Sequence, residues 1–451
     1  MTNYDVIEAY VEDFTNWNYV KARGVATISQ HKFIITECIL KGLSIVEDIQ
    51  EPYSNLTVRI IGITDNQEVL ITDYVNGKHQ IINTITEDGI YTIEDRHHFV
   101  GFGCNFVGTC NITIEQLPTS ILKDYSGNKH DAYLYGFKGR LNSGVGIYAQ
   151  DFTKWIFGSA IHNISTKAHN KLHIVKKNPN NYFGYTIGIQ KANYYNKPYK
   201  LKFNFNKEID DINFSVVSTD GNLITTQCFS AIINNGSVVD VPIISEEIFN
   251  NQKEPNIYYD FGTNKDIEID VELIPDYPNQ LCYDGKSYAV AYGLPILTDY
   301  TVIADRTWFA EKVDNGVFMS KALEQNGAFI LEYKQGDKWN TYSYYSATNI
   351  NIDKDNSIVY QTKNKYNEQT IYPGDKQDTD TLFIGTIRKD DSRSFIGCHG
   401  DILLFNRTLT DDELSVIKEV VFGISDIKDA LLTVDKKYIK LNDNNYIKLN
   451  K

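Results

Sequence analysis

The stretch Ile267-Glu268-Ile269-Asp270-Val271-Glu272-Leu273 sets apolar and acidic side chains in strict alternation. A period of two indicates a β-strand with one face on a core and the other in water. The same alternation occurs at Leu56–Ile60 and at Ile112–Glu115. Asn-Gly and Asp-Gly pairs, which suit tight hairpin turns, separate such runs along the chain. The sequence therefore predicts an all-β protein built from tandem β-sandwiches of the jelly-roll kind.

The charge balance argues against several classes of function. The chain has 451 residues, with 44 Lys and Arg against 58 Asp and Glu, and a net charge of −14. Proteins that bind phosphates of nucleic acid normally carry a basic excess, so nucleic acid is not an expected partner. No run approaches the roughly 18 apolar residues of a membrane span. Met1–Asp5 lacks the basic and apolar regions of a secretory signal, so we expect neither membrane insertion nor export.

The six cysteines show no C-x-x-C pairing. A chain of this length can bury a large core and does not need disulfides for stability. We therefore expect buried free thiols, rather than a disulfide set, in a protein made in a reducing cytoplasm. The six are Cys38, Cys104, Cys110, Cys228, Cys282 and Cys398.

An internal repeat organises the chain. The pattern Y-x-x-D-F-T-x-W occurs at Tyr10–Trp17 and again at Tyr148–Trp155. The two copies also end alike, in Thr113–Pro118 and in Asp270–Pro275. Each copy has the length of one β-sandwich, and the tryptophan that closes each pattern is interpreted as structural.

The repeat predicts five segments: a first sandwich, a short linking segment, a second sandwich, a C-terminal sandwich and a tail. In that order they occupy residues 1–118, 119–147, 148–276, 277–423 and 424–451. The tail repeats Tyr-Ile-Lys-Leu-Asn at Tyr438–Asn442 and Tyr446–Asn450. Because so short a repeat cannot form a core alone, we expect it to pack on something else, such as a neighbouring subunit.

One short helix is predicted near the end of the C-terminal sandwich. Thr410 and Glu413 form a capping box, and acidic residues in the first turn suit the positive end of the helix dipole. Leu414 and Ile417 fall on one helical face, and Gly423 is placed to end the helix.

Three motifs outside the repeats resemble laminin-G-like domains of the concanavalin fold, as these occur in bacterial and phage proteins. They are D-x-S-G-N-x-H-x-A at Asp124–Ala132, L-x-[YF]-D-G-x-x-Y at Leu281–Tyr288, and L-L-F-N-R-x-L-T-x-x-E at Leu403–Glu413. The resemblance implies a laminin-G-like sandwich closed by the short helix. The second repeat separates the first motif from the other two. We favour the interpretation that the second repeat is inserted into this domain; the alternative is that the first motif is a remnant linker.

The order of modules also resembles structural proteins of phages that infect gut Bacteroidales, including the crAss-like group. The resemblance implies a virion fibre or decoration protein, on head or tail, that is made in the host cytoplasm and binds host surface glycans. It further implies contacts with other virion proteins and a homotrimer. A bacterial surface protein that binds glycans is the alternative, which the absence of an export or lipidation signal disfavours.

A glycan-degrading hydrolase is a second alternative, because Glu268-Ile269-Asp270-Val271-Glu272 resembles the E-[IL]-D-x-E signature of laminarinase-like glycosidases. Alternate residues of a strand share one face about 6–7 Å apart, and a retaining mechanism needs carboxyl groups about 5–5.5 Å apart. In the repeat alignment, however, the three acids correspond to Asn111, Thr113 and Glu115. The first copy thus builds the same strand without the acid set. We interpret the acids as a solvated strand face and expect no enzymatic activity.

Glycan binding needs aromatic faces that stack on sugar rings, beside polar groups that bond the hydroxyls. The densest such stretch in the laminin-G-like segment lies close to Asn349. The candidate glycan-binding residues are Trp339, Tyr342, Tyr344, Tyr345 and Asn349. The alternative is that alternate tyrosines pack in the sandwich core or against a neighbouring subunit.

Candidate metal ligands are few. His97-His98 lacks a third ligand at a recognisable spacing. Asp299, Asp314 and Asp355 are loop-like acids without EF-hand spacing. Nucleophile-elbow, zinc-protease and P-loop patterns are also missing. We therefore predict no metal and no cofactor.

Overall fold

A computed structural model gives the structure of the chain. It describes residues 10, 12–46, 55–75, 78–94, 101–137, 152, 162–167, 170–176, 188–189, 199–207, 211–219, 225–242, 256–262, 266–274, 277, 280–309, 315–323, 325–389, 391–423, 438–442 and 445–448. Nearly all regular structure in these residues is antiparallel β-sheet in several sandwiches, which confirms the predicted all-β class. No helix among them is long and apolar enough to cross a membrane.

The first sandwich packs two five-stranded sheets face to face. Its strands are β1 (Asn18–Tyr19), β2 (Gly24–Ser29), β3 (Lys32–Cys38), β4 (Gly42–Val46), β5 (Leu56–Ile61), β6 (Val69–Val75), β7 (Lys78–Ile85), β8 (Gly89–Ile93), β9 (Gly101–Cys104) and β10 (Gly108–Gln116). The sheets have the orders β2-β3-β10-β5-β8 and β1-β4-β9-β6-β7. Short 3₁₀-helices occupy Phe14–Asn16 and Lys21–Arg23. In the first, Asp13 accepts a hydrogen bond from the Thr15 backbone N–H, and Phe14 and Trp17 are buried in the core.

The second sandwich repeats this topology. After β11 (Ile121–Leu122) and β12 (Ala132–Tyr135), its strands are β13 (His162–Lys167), β14 (Lys171–Lys176), β15 (Gly188–Ile189), β16 (Tyr199–Phe205), β17 (Ile212–Thr219), β18 (Thr225–Ile233), β19 (Val238–Val241), β20 (Asn256–Gly262) and β21 (Ile267–Ile274). The order β13-β14-β21-β16-β19 matches β2-β3-β10-β5-β8 strand for strand, and the facing sheet is β15-β20-β17-β18. Phe152 is fully buried, like Phe14 at the equivalent place, whereas Trp155 lies outside the described residues.

The C-terminal sandwich combines strands from both sides of the second repeat. Its further strands are β22 (Leu281–Asp284), β23 (Tyr288–Ala291), β24 (Thr301–Trp308), β25 (Val317–Leu323), β26 (Asn326–Gln335), β27 (Lys338–Ser343), β28 (Ser346–Ile350), β29 (Ile358–Thr362), β30 (Lys365–Tyr366), β31 (Gln369–Thr370), β32 (Leu382–Ile384) and β33 (Ile396–Phe405). The sheets are β11-β12-β23-β32-β25-β26-β27-β28 and β22-β33-β24-β29-β30-β31. Because β12 pairs with β23 along its whole length, the segment Asp124–Ala132 leads into a strand of this sandwich, and the second sandwich is inserted between its strands.

The predicted helix, α1 (Asp411–Phe422), begins at the capping box of Thr410 and Glu413 and ends at Gly423, whose φ is +70°. Leu414 and Ile417 are buried against the six-stranded sheet. Beyond the helix, β34 (Tyr438–Asn442) and β35 (Asn445–Lys448) pair as a two-stranded sheet from the repeated tail sequence.

The cysteine prediction is wrong for one pair. Cys38 and Cys104 form a disulfide whose Cα atoms are 6.4 Å apart. The two residues end strands in opposite sheets, β3 and β9, and the sandwich brings these ends together across 66 positions of sequence, where no local spacing could signal it. The other four cysteines are free thiols; Cys282 and Cys398 are buried, as expected, whereas Cys110 and Cys228 are only partly buried.

An aromatic junction joins the first sandwich to the C-terminal sandwich. Tyr135 and Tyr292 pack there in a cluster with residues of β23 and β32. From the first sandwich, Arg59 lies 4.2 Å above the centroid of the Tyr292 ring, and Glu115 pairs with Lys389. Cation–π and ion-pair contacts of this kind hold two surfaces at a defined angle when both are partly desolvated.

Candidate functional site

A cleft of about 430 Å³ opens at one end of the eight-stranded sheet, where β27 begins and β28 ends. Its lining consists of Asp337, Lys338, Trp339, Asn349, Ile350, Asn351, Ile352 and Lys354. An aromatic ring, two amide side chains and charged groups therefore meet beside two isoleucines. Clefts with an apolar body and a few convergent polar groups are the usual form of small-ligand sites.

The register of β27 fixes the position of Trp339. Trp339 stands directly opposite Lys334 on β26 and Ile350 on β28. Its indole meets Trp308 of the other sheet edge to face, with ring centroids 4.9 Å apart and an interplanar angle of 75°. Trp339 is half-buried, so the part of its ring that does not pack on Trp308 is available to the cleft.

A buried ion pair holds Trp308 in place beneath this ring. The Trp308 Nε1–H donates to Glu332 Oε2 at 2.8 Å. Arg306 donates two hydrogen bonds to the same carboxylate, at 2.7 and 2.6 Å, and Tyr366 donates a fourth at 2.6 Å. Arg306 and Glu332 are almost inaccessible to water, so the carboxylate is satisfied entirely by these donors. The tryptophan pair is thus supported by a rigid network.

The structure brings only two of the five predicted glycan-binding residues together. Trp339 and Asn349 line the cleft, while Tyr342 packs against Tyr333 with ring centroids 6.0 Å apart. Tyr345 lies next to Tyr342, outside the cleft lining.

Tyr344 cannot present its ring to a ligand. It is 6% exposed, belongs to the main core of the sandwich, and donates a hydrogen bond from its hydroxyl to the Leu297 carbonyl at 3.1 Å. Tyr344 lies in the turn just after β27, with a φ of +44°. Tyr342 and Tyr344 thus make the contacts of the alternative interpretation, in which the tyrosines pack within the sandwich.

Sequence reasoning missed the charged and amide partners of Trp339. Lys338 adjoins the tryptophan in sequence, but a solitary lysine at a strand start carries no signal of its own. Asn351 and Lys354 lie in the loop after β28, and only the pairing of β27 with β28 brings them near the ring. Trp308 comes from the opposite sheet, which a local pattern cannot reveal.

The acidic strand of the second sandwich has the arrangement of a solvated sheet face. Ile267, Ile269 and Val271 are buried, and the acids between them point outward. His173 Nδ1 lies 2.7 Å from Asp270 Oδ1, and Glu268 accepts a hydrogen bond from Asn206 at 2.9 Å. The acids therefore contact polar side chains of neighbouring strands: Asp270 contacts His173 on β14, and Glu268 contacts Asn206, just after β16.

The loop acids considered for metal binding do not gather at one place: Asp355 is an exposed residue whose backbone N–H donates to Asp353, and the other two lie elsewhere or outside the described residues. Asp299 accepts hydrogen bonds from the backbone N–H and hydroxyl of Thr408, just ahead of α1. Asp314, like His97-His98, lies outside the described residues. Within the described residues, no three His, Cys, Asp or Glu side chains gather closely enough to hold a metal ion.

Comparison with known proteins adds no relative. No protein-family model matches the chain, and no curated protein matches it.

Proposed function

We propose that this protein is a structural component of a phage virion surface, a head or tail fibre or a decoration protein, that attaches the particle to host glycans through the Trp339 cleft. The half-exposed Trp339 ring, beside the amides of Asn349 and Asn351, carries the proposal. An aromatic face next to amide groups is what stacking on a sugar ring and bonding its hydroxyls require.

Three further features support a role on the particle surface. The motif order resembles that of virion proteins from phages of gut Bacteroidales. The net charge of −14 favours solubility for many exposed copies. The Cys38–Cys104 disulfide suits a protein that works outside the reducing cytoplasm.

A fibre of this kind contacts other virion proteins and forms a homotrimer, as the resemblance implies. Light scattering of the purified chain should then give a mass near three times 51.5 kDa. A clean monomer at all concentrations would count against the fibre but not against glycan binding.

A glycan array tests the attachment site. The variant Trp339→Ala should lose roughly five- to 150-fold in affinity for any glycan that the wild-type chain binds, the equivalent of the roughly 1–3 kcal/mol that an aromatic stacking partner contributes at sites where nucleic-acid bases stack. Tyr125→Ala is the matched control, since Tyr125 is 85% exposed in the same sandwich and outside the cleft. Asn349→Ala repeats the test without removing a core contact. Unchanged binding in both cleft variants would reject the cleft as the site.

A further inference from the structure

The cleft carries positive charge in an acidic protein. Lys338 and Lys354 line it, and the Lys334 ammonium lies 5.8 Å from the centroid of the Trp339 ring. Asp337 is the one carboxylate among the lining residues. Two lysines thus line the cleft and the ammonium of a third lies over its tryptophan ring, while the chain as a whole has a net charge of −14. A local positive potential in a negative body concentrates anions at that spot and repels cations.

The position of Lys334 adds to the positive charge beside Trp339. The residue faces Trp339 directly across the β26–β27 pairing, and its side chain is 8% exposed. No ion pair of Lys334 or Lys338 with another described residue is found, although acidic side chains are abundant elsewhere on the surface. The Lys334 side chain is nearly buried, and its ammonium is therefore a fixed cation beside the Trp339 ring.

We infer that the ligand of the Trp339 cleft is an acidic glycan, with a carboxylate or sulfate group on the sugar that stacks against Trp339. The inference rests on the proposed glycan binding and specifies its chemistry. The indole takes the apolar face of the ring, the amides of Asn349 and Asn351 bond its hydroxyls, and Lys338 pairs with the acidic group. A charge-assisted hydrogen bond is roughly twice as strong as a neutral one, so the acidic group determines which glycans bind.

The test uses the full chain and pairs of glycans that differ only in charge. Polygalacturonate and hyaluronan are titrated calorimetrically, and each is compared with the same polymer after chemical reduction of its carboxyl groups. Chondroitin sulfate, which carries sulfate, and dextran, which is neutral, are titrated separately. We expect binding to at least one acidic polymer and a loss of at least tenfold on reduction. Affinity should also fall between 0.1 M and 1 M salt, because the screening length shrinks from about 10 Å to about 3 Å.

Variants assign the charge to the cleft. Lys338→Gln should weaken binding of the acidic polymer about tenfold, Lys338→Arg should retain it, and the exposed Lys286→Gln of the same sandwich should leave it unchanged. Equal binding of reduced and acidic polymers would overturn the inference and leave glycan binding in place. Binding to none of the acidic polymers would overturn the inference, whereas binding to no glycan on the array would overturn the proposed function. Tight binding of a single-stranded oligonucleotide through Lys338 would also overturn it, in favour of a nucleic-acid site.

Discussion

Glu332 adopts a φ of +55° in the middle of β26, a backbone conformation that few residues other than glycine accept. The pairing of β26 with β27 slips between Ile330 and Tyr333, which marks a bulge at this point. The bulge lets Leu331 and Glu332 both face the interior, where Glu332 meets Arg306. A local irregularity of the backbone thereby places a carboxylate under the tryptophan pair.

Removing that carboxylate should be costly. Glu332→Gln leaves the Arg306 guanidinium, which is 2% exposed, without a counter-charge, and we expect a loss of about 3–5 kcal/mol in the free energy of unfolding. Lys365→Gln breaks the exposed pair with Asp411 in the same sandwich and should cost less than about 1 kcal/mol. Urea unfolding followed by tryptophan fluorescence measures both. Equal stability of the two variants would show that the buried pair contributes nothing.

His399 should make the C-terminal sandwich sensitive to acid. Its Nδ1–H donates to the Gly400 carbonyl, so Nε2 accepts the Tyr283 hydroxyl hydrogen bond at 2.9 Å. Burial lowers the pKa of His399 from 6.5 to about 4. As the pH falls below 6.5, the unfolded chain takes up this proton before the folded chain does, so stability present above pH 6.5 is lost toward pH 4. The loss at pH 5 is about 2 kcal/mol.

The His399→Gln variant isolates this contribution. It removes the titrating group, so its unfolding free energy should fall by about 2 kcal/mol less than that of the wild type between pH 7 and pH 5. Urea titrations at the two pH values give the difference. Parallel losses in both proteins would mean that His399 is not the group responsible.

At the scale of elements, the sequence predicted what depends on neighbours along the chain. The alternation of Ile267 to Leu273 gives β21, and the capping box of Thr410 gives α1. Features formed across long separations could not be predicted in this way. The disulfide of Cys38 with Cys104 and the contact of Trp308 with Trp339 are two such features.

The strand β12 makes the C-terminal sandwich dependent on a segment that precedes the insertion. Ala132 and Leu134 of this strand are buried in the core, and β12 covers the edge of β23. A fragment of residues 277–423 should therefore fail to fold or should aggregate, because it loses core area and exposes a strand edge. A chain in which a short Gly-Ser linker replaces residues 138–279 should retain the sandwich.

Circular dichroism and thermal unfolding of the two proteins test this dependence. The linker variant keeps Phe137 and Tyr283, whose rings pack with centroids 5.3 Å apart on either side of the insertion. If the fragment 277–423 folded as stably as the linker variant, β12 would be dispensable.

At the scale of the whole molecule, the junction of Arg59 with Tyr292 and of Glu115 with Lys389 should fix the first sandwich relative to the C-terminal one. The double variant Arg59→Ala, Lys389→Ala removes both contacts and leaves each core intact. We expect faster proteolysis near Pro118–Ser120 and a larger radius of gyration in small-angle X-ray scattering. Lys286→Gln serves as the control for a loss of surface charge, and identical scattering in all three proteins would argue against a rigid junction.

The insertion of the second sandwich between β12 and β22 has a mechanical consequence. Tension between the first sandwich and the C-terminal end of the chain passes through the hydrogen bonds of β12 with β23 and across the C-terminal sandwich. Because both ends of the inserted sandwich attach to strands of the C-terminal sandwich, β12 and β22, the insertion lies outside the path of the load while β12 stays paired with β23. Under such tension it is therefore shielded from force until β12 separates from β23.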